Sequence, residues 1–148
     1  MEKKLRKYLK DGKFYNVDKV RSKTMSSIRG KNNKTTELKL KMALVRKCVS
    51  GWQLHPKNIA GKPDIFFSND KIAVFVDGCF WHGCPDCGHI PKTRNEFWAA
   101  KIKRNKERDQ LVSRQLKSEG IRVVRIWEHE LKTNELTDAA LNKIFKML

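Results

Sequence analysis

The stretch IAVFVDGCFWHGCPDC, residues 72–87, decides the fold. It opens on an uninterrupted apolar run, which is what a buried strand requires. The ten residues after Asp77 hold three cysteines (Cys79, Cys84, Cys87), His82 and the adjacent aromatics Phe80 and Trp81. No ordinary core strand needs this combination. Three thiols this close can hold a metal ion. A loop fixed in that way can present Phe80 and Trp81 outward and keep His82 ready for chemistry. The expectation is a strand that runs directly into a metal-held functional loop.

The spacing Cys79-x4-Cys84-x2-Cys87 suits structural zinc, which takes four nitrogen or sulfur ligands in a tetrahedron. Two histidines compete for the fourth position. His89 would only cross-link the loop, whereas His129 would tie it to the far end of the chain. Zinc in small motifs contributes on the order of 10 kcal/mol to folding. The N-terminus carries charge with no apolar stretch behind it, so it does not read as a secretory signal. In a cytoplasmic setting clustered cysteines are more often metal ligands than disulfides. Cys48 stands apart in an apolar helical pattern and is expected to be a buried thiol.

Outward from this stretch, Asn69-Asp70 reads as a turn back to a strand at residues 63–67, itself preceded by a short run at 52–55. Thr35 or Thr36 can cap a helix running to about residue 48, with Leu38, Met42 and Val45 on one face and Glu37 in the first turn. Downstream, a long helix is expected over 95–118, stopped by Gly120. A nearly continuous apolar strand follows at 121–127, broken by Arg122 and Arg125, and a short helix at 138–148 closes the chain. This order implies an α/β layer with a mixed central sheet.

The long helix has a mixed stripe. Trp98, Ile102, Asn105, Asp109, Val112 and Leu116 recur every three or four residues and share one face. A carboxylate on a buried face needs a partner. For Asp109 the candidates are His82 across the fold, or Arg108 and Lys106 beside it. A third set is acidic. Asp64 opens one strand after Gly61-Lys62-Pro63, and Asp77 ends the next. If those strands pair, both carboxylates lie at one sheet end, where with an upstream glutamate they can bind magnesium for phosphoryl transfer.

At 148 residues the chain fits one domain. Residues 1–34 form a basic, weakly patterned N-terminal arm, either ordering on DNA or remaining a disordered tail, and 35–148 form the domain proper. Lys and Arg total 33 against 16 acidic residues, a net charge of +17. Such a surplus points to a polyanion, most often nucleic acid. No run of 18 apolar residues exists, so no membrane partner or span is expected. A cytoplasmic monomer is expected.

The segments RSKTMSSIRG (21–30), TTELKLKMAL (35–44), GKPDIFF (61–67), FVDGCFWHGCP (75–85), KTRNEFWAAKIKRNKERD (92–109) and GIRVVRIWEHEL (120–131) resemble, in order, those of the very short patch repair (Vsr) mismatch endonucleases. The resemblance runs from about residue 21 to 131. It implies a restriction-endonuclease-like, PD-(D/E)xK-type mixed sheet flanked by helices, with a structural zinc. It implies nicking 5′ to the T of T·G mismatches that arise when 5-methylcytosine deaminates. It implies a bacterial, nucleoid-associated enzyme with double-stranded DNA as partner, paired in function with a DNA cytosine-5 methyltransferase. Asp64 matches the magnesium-binding aspartate and Glu37 the glutamate that orients hydrated metal. His82 matches the catalytic histidine and Asp109 its supporting aspartate. Phe80 and Trp81 match the aromatics that wedge into DNA, and Met25 a residue of the arm that inserts from the other groove. Cys79, Cys84, Cys87 and His129 fall at or within one residue of the zinc ligands.

The chain departs from the family at one point. Where the best-described member has Thr-His at the end of the second strand, this chain has Val76-Asp77. The Val76 carbonyl can replace the threonine's on magnesium, and Asp77 becomes a candidate metal ligand and catalytic residue in its own right. The restriction-enzyme lysine is absent, since two residues after Asp77 comes Cys79. That shifts acid–base work onto His82. Two other readings remain: a related nuclease with a different DNA substrate, and a zinc-stabilised DNA-binding module without catalysis. The second leaves Asp109 and the carboxylate set without a purpose.

Overall fold

In the computed structural model, the described residues are 36–148 together with residue 23. The expected arm at 1–34, including Met25, lies outside them apart from that one position. In the described part, helix α1 (Glu37–Arg46) leads to strands β1 (Trp52–Leu54), β2 (Ile65–Phe67) and β3 (Ile72–Asp77). Helix α2 (Asn95–Ser118), strand β4 (Arg122–Trp127), a 3-10 turn (Glu128–Leu131) and helix α3 (Asn134–Phe145) complete the order. The four strands form one sheet in the order β1-β2-β3-β4. The first three are antiparallel neighbours, while β3 and β4 run parallel in the register Ile72↔Arg122 to Asp77↔Trp127. The sheet is therefore mixed, as the element order implies.

The period-2 alternation of the strands builds a core on each face. Ile65, Phe67, Ile72, Val74, Val124 and Ile126 face α1 and α3, which contribute Leu40, Ala43, Leu44, Leu141 and Ile144. Phe66, Ala73 and Phe75 face the other way, against Leu116 of α2 and Ile121. A parallel pair needs a long crossover, and α2 supplies it. Gly120, at φ +74°, turns the chain out of α2, and the Ile121 amide caps the helix on the Leu116 carbonyl at 2.9 Å.

Three sequence expectations change. The buried face of α1 is Leu40, Ala43 and Leu44, while Leu38, Met42 and Val45 are exposed at 38, 48 and 50%. Two apolar stripes compete on that helix, and the one carrying Leu40, Ala43 and Leu44 enters the core shared with the sheet and α3. Cys48 is exposed, because α1 has already ended and the residue sits at φ +55° in the exit turn. The last helix starts at Asn134, four residues before the expected start, because the Thr133 hydroxyl caps it by accepting from the Leu136 amide at 3.3 Å.

Leu44→Ala is expected to cost about 2–5 kcal/mol in urea unfolding. Met42→Ala, on the exposed stripe of the same helix, should stay within about 0.5 kcal/mol.

Candidate active site and metal cluster

Antiparallel pairing of β2 with β3 brings Asp64, just before β2, and Asp77, the last residue of β3, to the same end of the sheet. The main chain locks this end. The Asp64 amide donates to the Val74 carbonyl at 3.0 Å, and the Val76 amide donates to Asp64 Oδ2 at 2.7 Å. Glu37 reaches the same place from the first turn of α1. Between the two carboxylates stands His55, its Nε2 3.2 Å from Glu37 Oε2 and its Nδ1 4.0 Å from Asp64 Oδ1. Burial pushes the Asp64 carboxyl up to about 7. The Val76 amide works against this, and the charge and hydrogen bond of Glu37 and the charge of Asp77 add to it. A carboxyl so placed has a stored preference for a proton or a cation.

The second group lies one residue further along β3. His82 Nδ1 is 2.5 Å from Asp109 Oδ2 and 3.7 Å from Asp77 Oδ1. With Nδ1–H donated to Asp109, it is Nε2 that points away from the pair and can exchange a proton. Burial alone would raise the Asp109 carboxyl, but the His82 hydrogen bond and charge, with Arg125 and Arg108, outweigh it and hold it below the usual range. Arg125 rises from β4 and donates through Nη1 to both Asp77 oxygens, at 2.8 and 2.6 Å. Its Nη2 also donates to the Asp109 carbonyl at 3.3 Å, and its guanidinium lies 4.8 Å from the Phe75 ring centre. Asp77 is thus buried, ion-paired, and grouped with His82 and Asp109, separate from the set formed by Glu37, His55 and Asp64.

The third group is sulfur-rich. His129 Nδ1, in the turn after β4, is 3.4 Å from Cys79 Sγ and 3.5 Å from both Cys84 Sγ and Cys87 Sγ. A tetrahedral ion with metal–sulfur bonds of about 2.3 Å and a metal–nitrogen bond of about 2.0 Å has S–N edges of about 3.5 Å. The four donors therefore fit a metal ion as they stand. His129 Nε2 is 3.7 Å from Asp86 Oδ2, a carboxylate that can orient the ring. The thiols also need a cation for charge reasons. Burial and the neighbouring Cys87 and Cys84 push Cys79 up to about 12. Burial alone would raise Cys84, but hydrogen bonds to the Cys87 and Asp86 amides and to the other thiols lower it. Ligating as three thiolates side by side would need a positive ion between them. His89 falls outside this set and packs on Phe80 instead, with ring centres 5.8 Å apart.

Between these groups lie the aromatics. Phe80 and Trp81 are half-buried rather than projecting freely. Each packs on Trp98 of α2, at 5.2 and 5.9 Å between ring centres, and Lys101 Nζ sits 5.0 Å over Trp81. Burial lowers the pKa of that lysine. Asn105 donates to the Trp81 carbonyl at 2.8 Å, which accounts for the second polar residue in the helix stripe. A Cβ on Gly83, at φ +61°, would come within 2.7 Å of Ile102 Cγ2, so the loop can lie against α2 only with glycine there.

Glu37 and Asp64 thus meet at one sheet end, His82 meets Asp109 and Asp77, and the three loop cysteines meet His129. Sequence reasoning missed two residues. His55 follows a three-residue strand too short for its register to be read, and Arg125 was legible only as a charge interrupting an apolar strand.

Residues 14–89 match the family model for the DNA mismatch endonuclease Vsr. A type II nicking enzyme of Xanthomonas oryzae, V.XorIIP, is 38% identical over 122 residues, 81% of this chain and 88% of that protein. V.NaeI of Lentzea aerocolonigenes, also a type II nicking enzyme, is 54% identical over 78 residues, 53% of this chain but only 45% of that protein. The DNA mismatch endonuclease Vsr of Escherichia coli is 37% identical over 95 residues, 62% of this chain and 60% of that protein.

Cys84→Ser is expected to abolish stoichiometric metal in elemental analysis and to lower the melting temperature. Asp64 carries a prediction of opposite sign. Its folded carboxyl titrates near 7 against an ordinary 3.8, so its proton is held more tightly in the folded state. The stability it confers is complete below about 4 and is lost as pH rises to about 7. Asp64→Asn keeps the acceptor for the Val76 amide and cannot ionise. Without divalent cations it should melt above wild type at pH 8 and show no advantage at pH 4.

Proposed function

Because the chain belongs to the Vsr family of DNA mismatch endonucleases, we propose that it nicks one strand of duplex DNA 5′ to the T of T·G mismatches left by deamination of 5-methylcytosine. The observation that carries this reading is the His82–Asp109 pair at the sheet end where Asp64 and Glu37 meet. A binding module has no use for an oriented histidine at the same sheet end as a carboxyl held near 7. The same reading takes the mixed sheet as restriction-endonuclease-like and the Cys79/Cys84/Cys87/His129 ion as zinc. It takes the working form as a monomer that acts where a DNA cytosine-5 methyltransferase has marked the site.

Phosphodiester hydrolysis needs a nucleophile, charge stabilisation and help for the leaving group. Asp64, Glu37 and the Val76 carbonyl would hold magnesium, which supplies charge stabilisation at the phosphate. The hard oxygens and the raised Asp64 carboxyl fit that role. His82 takes the proton from the attacking water through Nε2, because Asp109 holds Nδ1–H. Asp77, a candidate ligand from sequence alone, has both oxygens on Arg125. It acts here as a second positioning carboxylate for His82. Phe80 and Trp81 wedge into the duplex, with Met25 entering from the other groove. Inserting side chains between base pairs costs a few kcal/mol per step, and a T·G wobble yields more readily than a matched pair. The net charge of +17 supports the DNA contact.

An end-labelled duplex with one T·G mismatch, presented in several methylation contexts, tests this. Magnesium-dependent nicking of the T strand alone is expected, with none in EDTA and none on the matched T·A duplex. His82→Ala should slow nicking by roughly 10²–10⁴-fold, and Asp64→Ala should remove it. Equal rates for these variants and wild type would overturn the assignment. Cleavage of matched duplex would indicate a nuclease of different specificity, and tight salt-sensitive binding without cleavage a binding module.

A further inference from the structure

The proposed mechanism leaves His55 unused, yet its position is closely determined. Its amide donates to the Asp64 carbonyl at 3.1 Å, one step beyond the Leu54↔Ile65 pair, so the β1–β2 ladder sets the two residues side by side. Its φ of +47° is a left-handed conformation that a non-glycine residue adopts at a cost. The ring that results lies between Glu37 and Asp64. The side chains of His55, Glu37 and Asp64 are 19, 14 and 20% exposed, so bulk water is largely kept from all three. One donor atom from each falls within 4.8 Å of the others.

The spacing is informative. Two ligands cis on a six-coordinate ion, with bonds of about 2.1 Å, stand about 3.0 Å apart. His55 Nε2 and Glu37 Oε2 are 3.2 Å apart, close to that edge. Asp64 Oδ2 is committed to the Val76 amide, and Oδ1 lies 4.0 Å from the other ring nitrogen, Nδ1. The ion would take one ring nitrogen with an oxygen of each carboxylate, from donors that stand within 4.8 Å of one another.

We propose that His55 is a third protein ligand of the divalent cation held by Asp64 and Glu37, making a histidine–aspartate–glutamate site that favours first-row transition ions over magnesium. This rests on the reading above that Asp64 and Glu37 serve a cation. An all-oxygen site suits magnesium, which keeps its waters and demands oxygen donors. An imidazole in the same shell adds affinity for transition ions and little for magnesium.

Manganese(II) is the probe, because it is paramagnetic and the weakest binder of the transition series. The full chain, with its cysteine cluster loaded, is titrated as wild type, His55→Gln and Asp64→Asn, with magnesium as competitor. Pulsed EPR reads nitrogen bound to manganese. In wild type, ¹⁴N coupling is expected, replaced by the ¹⁵N pattern when only histidine is ¹⁵N-labelled, a readout that needs no substitution. His55→Gln should lose the coupling and bind manganese at least roughly tenfold more weakly, with a smaller change for magnesium. Asp64→Asn should lose the bound ion. Manganese that depends on Asp64 but shows no histidine nitrogen would overturn the role of His55 and leave the Asp64–Glu37 reading standing. Manganese binding indifferent to Asp64→Asn would overturn both.

Discussion

The placement of His82 and the two loop aromatics hangs from the convergence of Cys79, Cys84, Cys87 and His129 on one point. Three of these donors lie in the loop after β3 and the fourth lies in the turn after β4, so the cluster joins the ends of two parallel neighbours. The intervening residues have little freedom left. Phe80, Trp81 and His82 sit between Cys79 and Cys84, and α2 holds the same segment from the other side. Asn105 takes the Trp81 carbonyl, Asp109 takes the His82 ring, and Gly83 lets the loop lie against Ile102. The positions of a histidine and two aromatics are thus fixed by turns within the segment and by contacts with α2 outside it.

Two ionic groups share the sheet end and differ in character. Around His82 the charges balance, because Asp77 and Asp109 face Arg125, Arg108 and the imidazole. A buried ion pair of this kind adds little net stability, since desolvation offsets the attraction. Its value is orientation. Around Asp64 the charges conflict, and the carboxyl there is pushed toward neutrality. Balanced charge holds geometry, and conflicting charge creates an appetite for a cation. The two tasks are kept apart although Val76 and Asp77, which touch one group each, are adjacent in sequence.

The sequence made the long helix, its stop at Gly120 and the β3 strand legible to within a residue, because each has a strong period and a clear terminator. The His82–Asp109 pair was legible for a related reason: a carboxylate on a buried stripe demands a partner, and few were offered. The face of α1 was not, since Leu38, Met42 and Val45 keep helical spacing as well as Leu40, Ala43 and Leu44 do, and only the sheet decides between them. The choice between His89 and His129 was open to spacing alone, because a distant ligand depends on strand register. His55 and Arg125 stayed hidden for that same reason. Each owes its role to a cross-strand neighbour.

The parallel pairing of β3 with β4 also governs when the protein becomes competent. The partners Ile72 and Arg122 are separated by the whole of α2, and Cys79 waits for His129. Non-local closures of this kind come late in folding, after local helices and hairpins have formed. On the ribosome, the β1–β2–β3 meander can assemble while α2 is still being made, but the loop with His82 stays unanchored until residue 129 has emerged. Interrupted synthesis therefore yields fragments with a basic surface and no fixed histidine. The late join acts as a completeness check on a chain of the DNA mismatch endonuclease family.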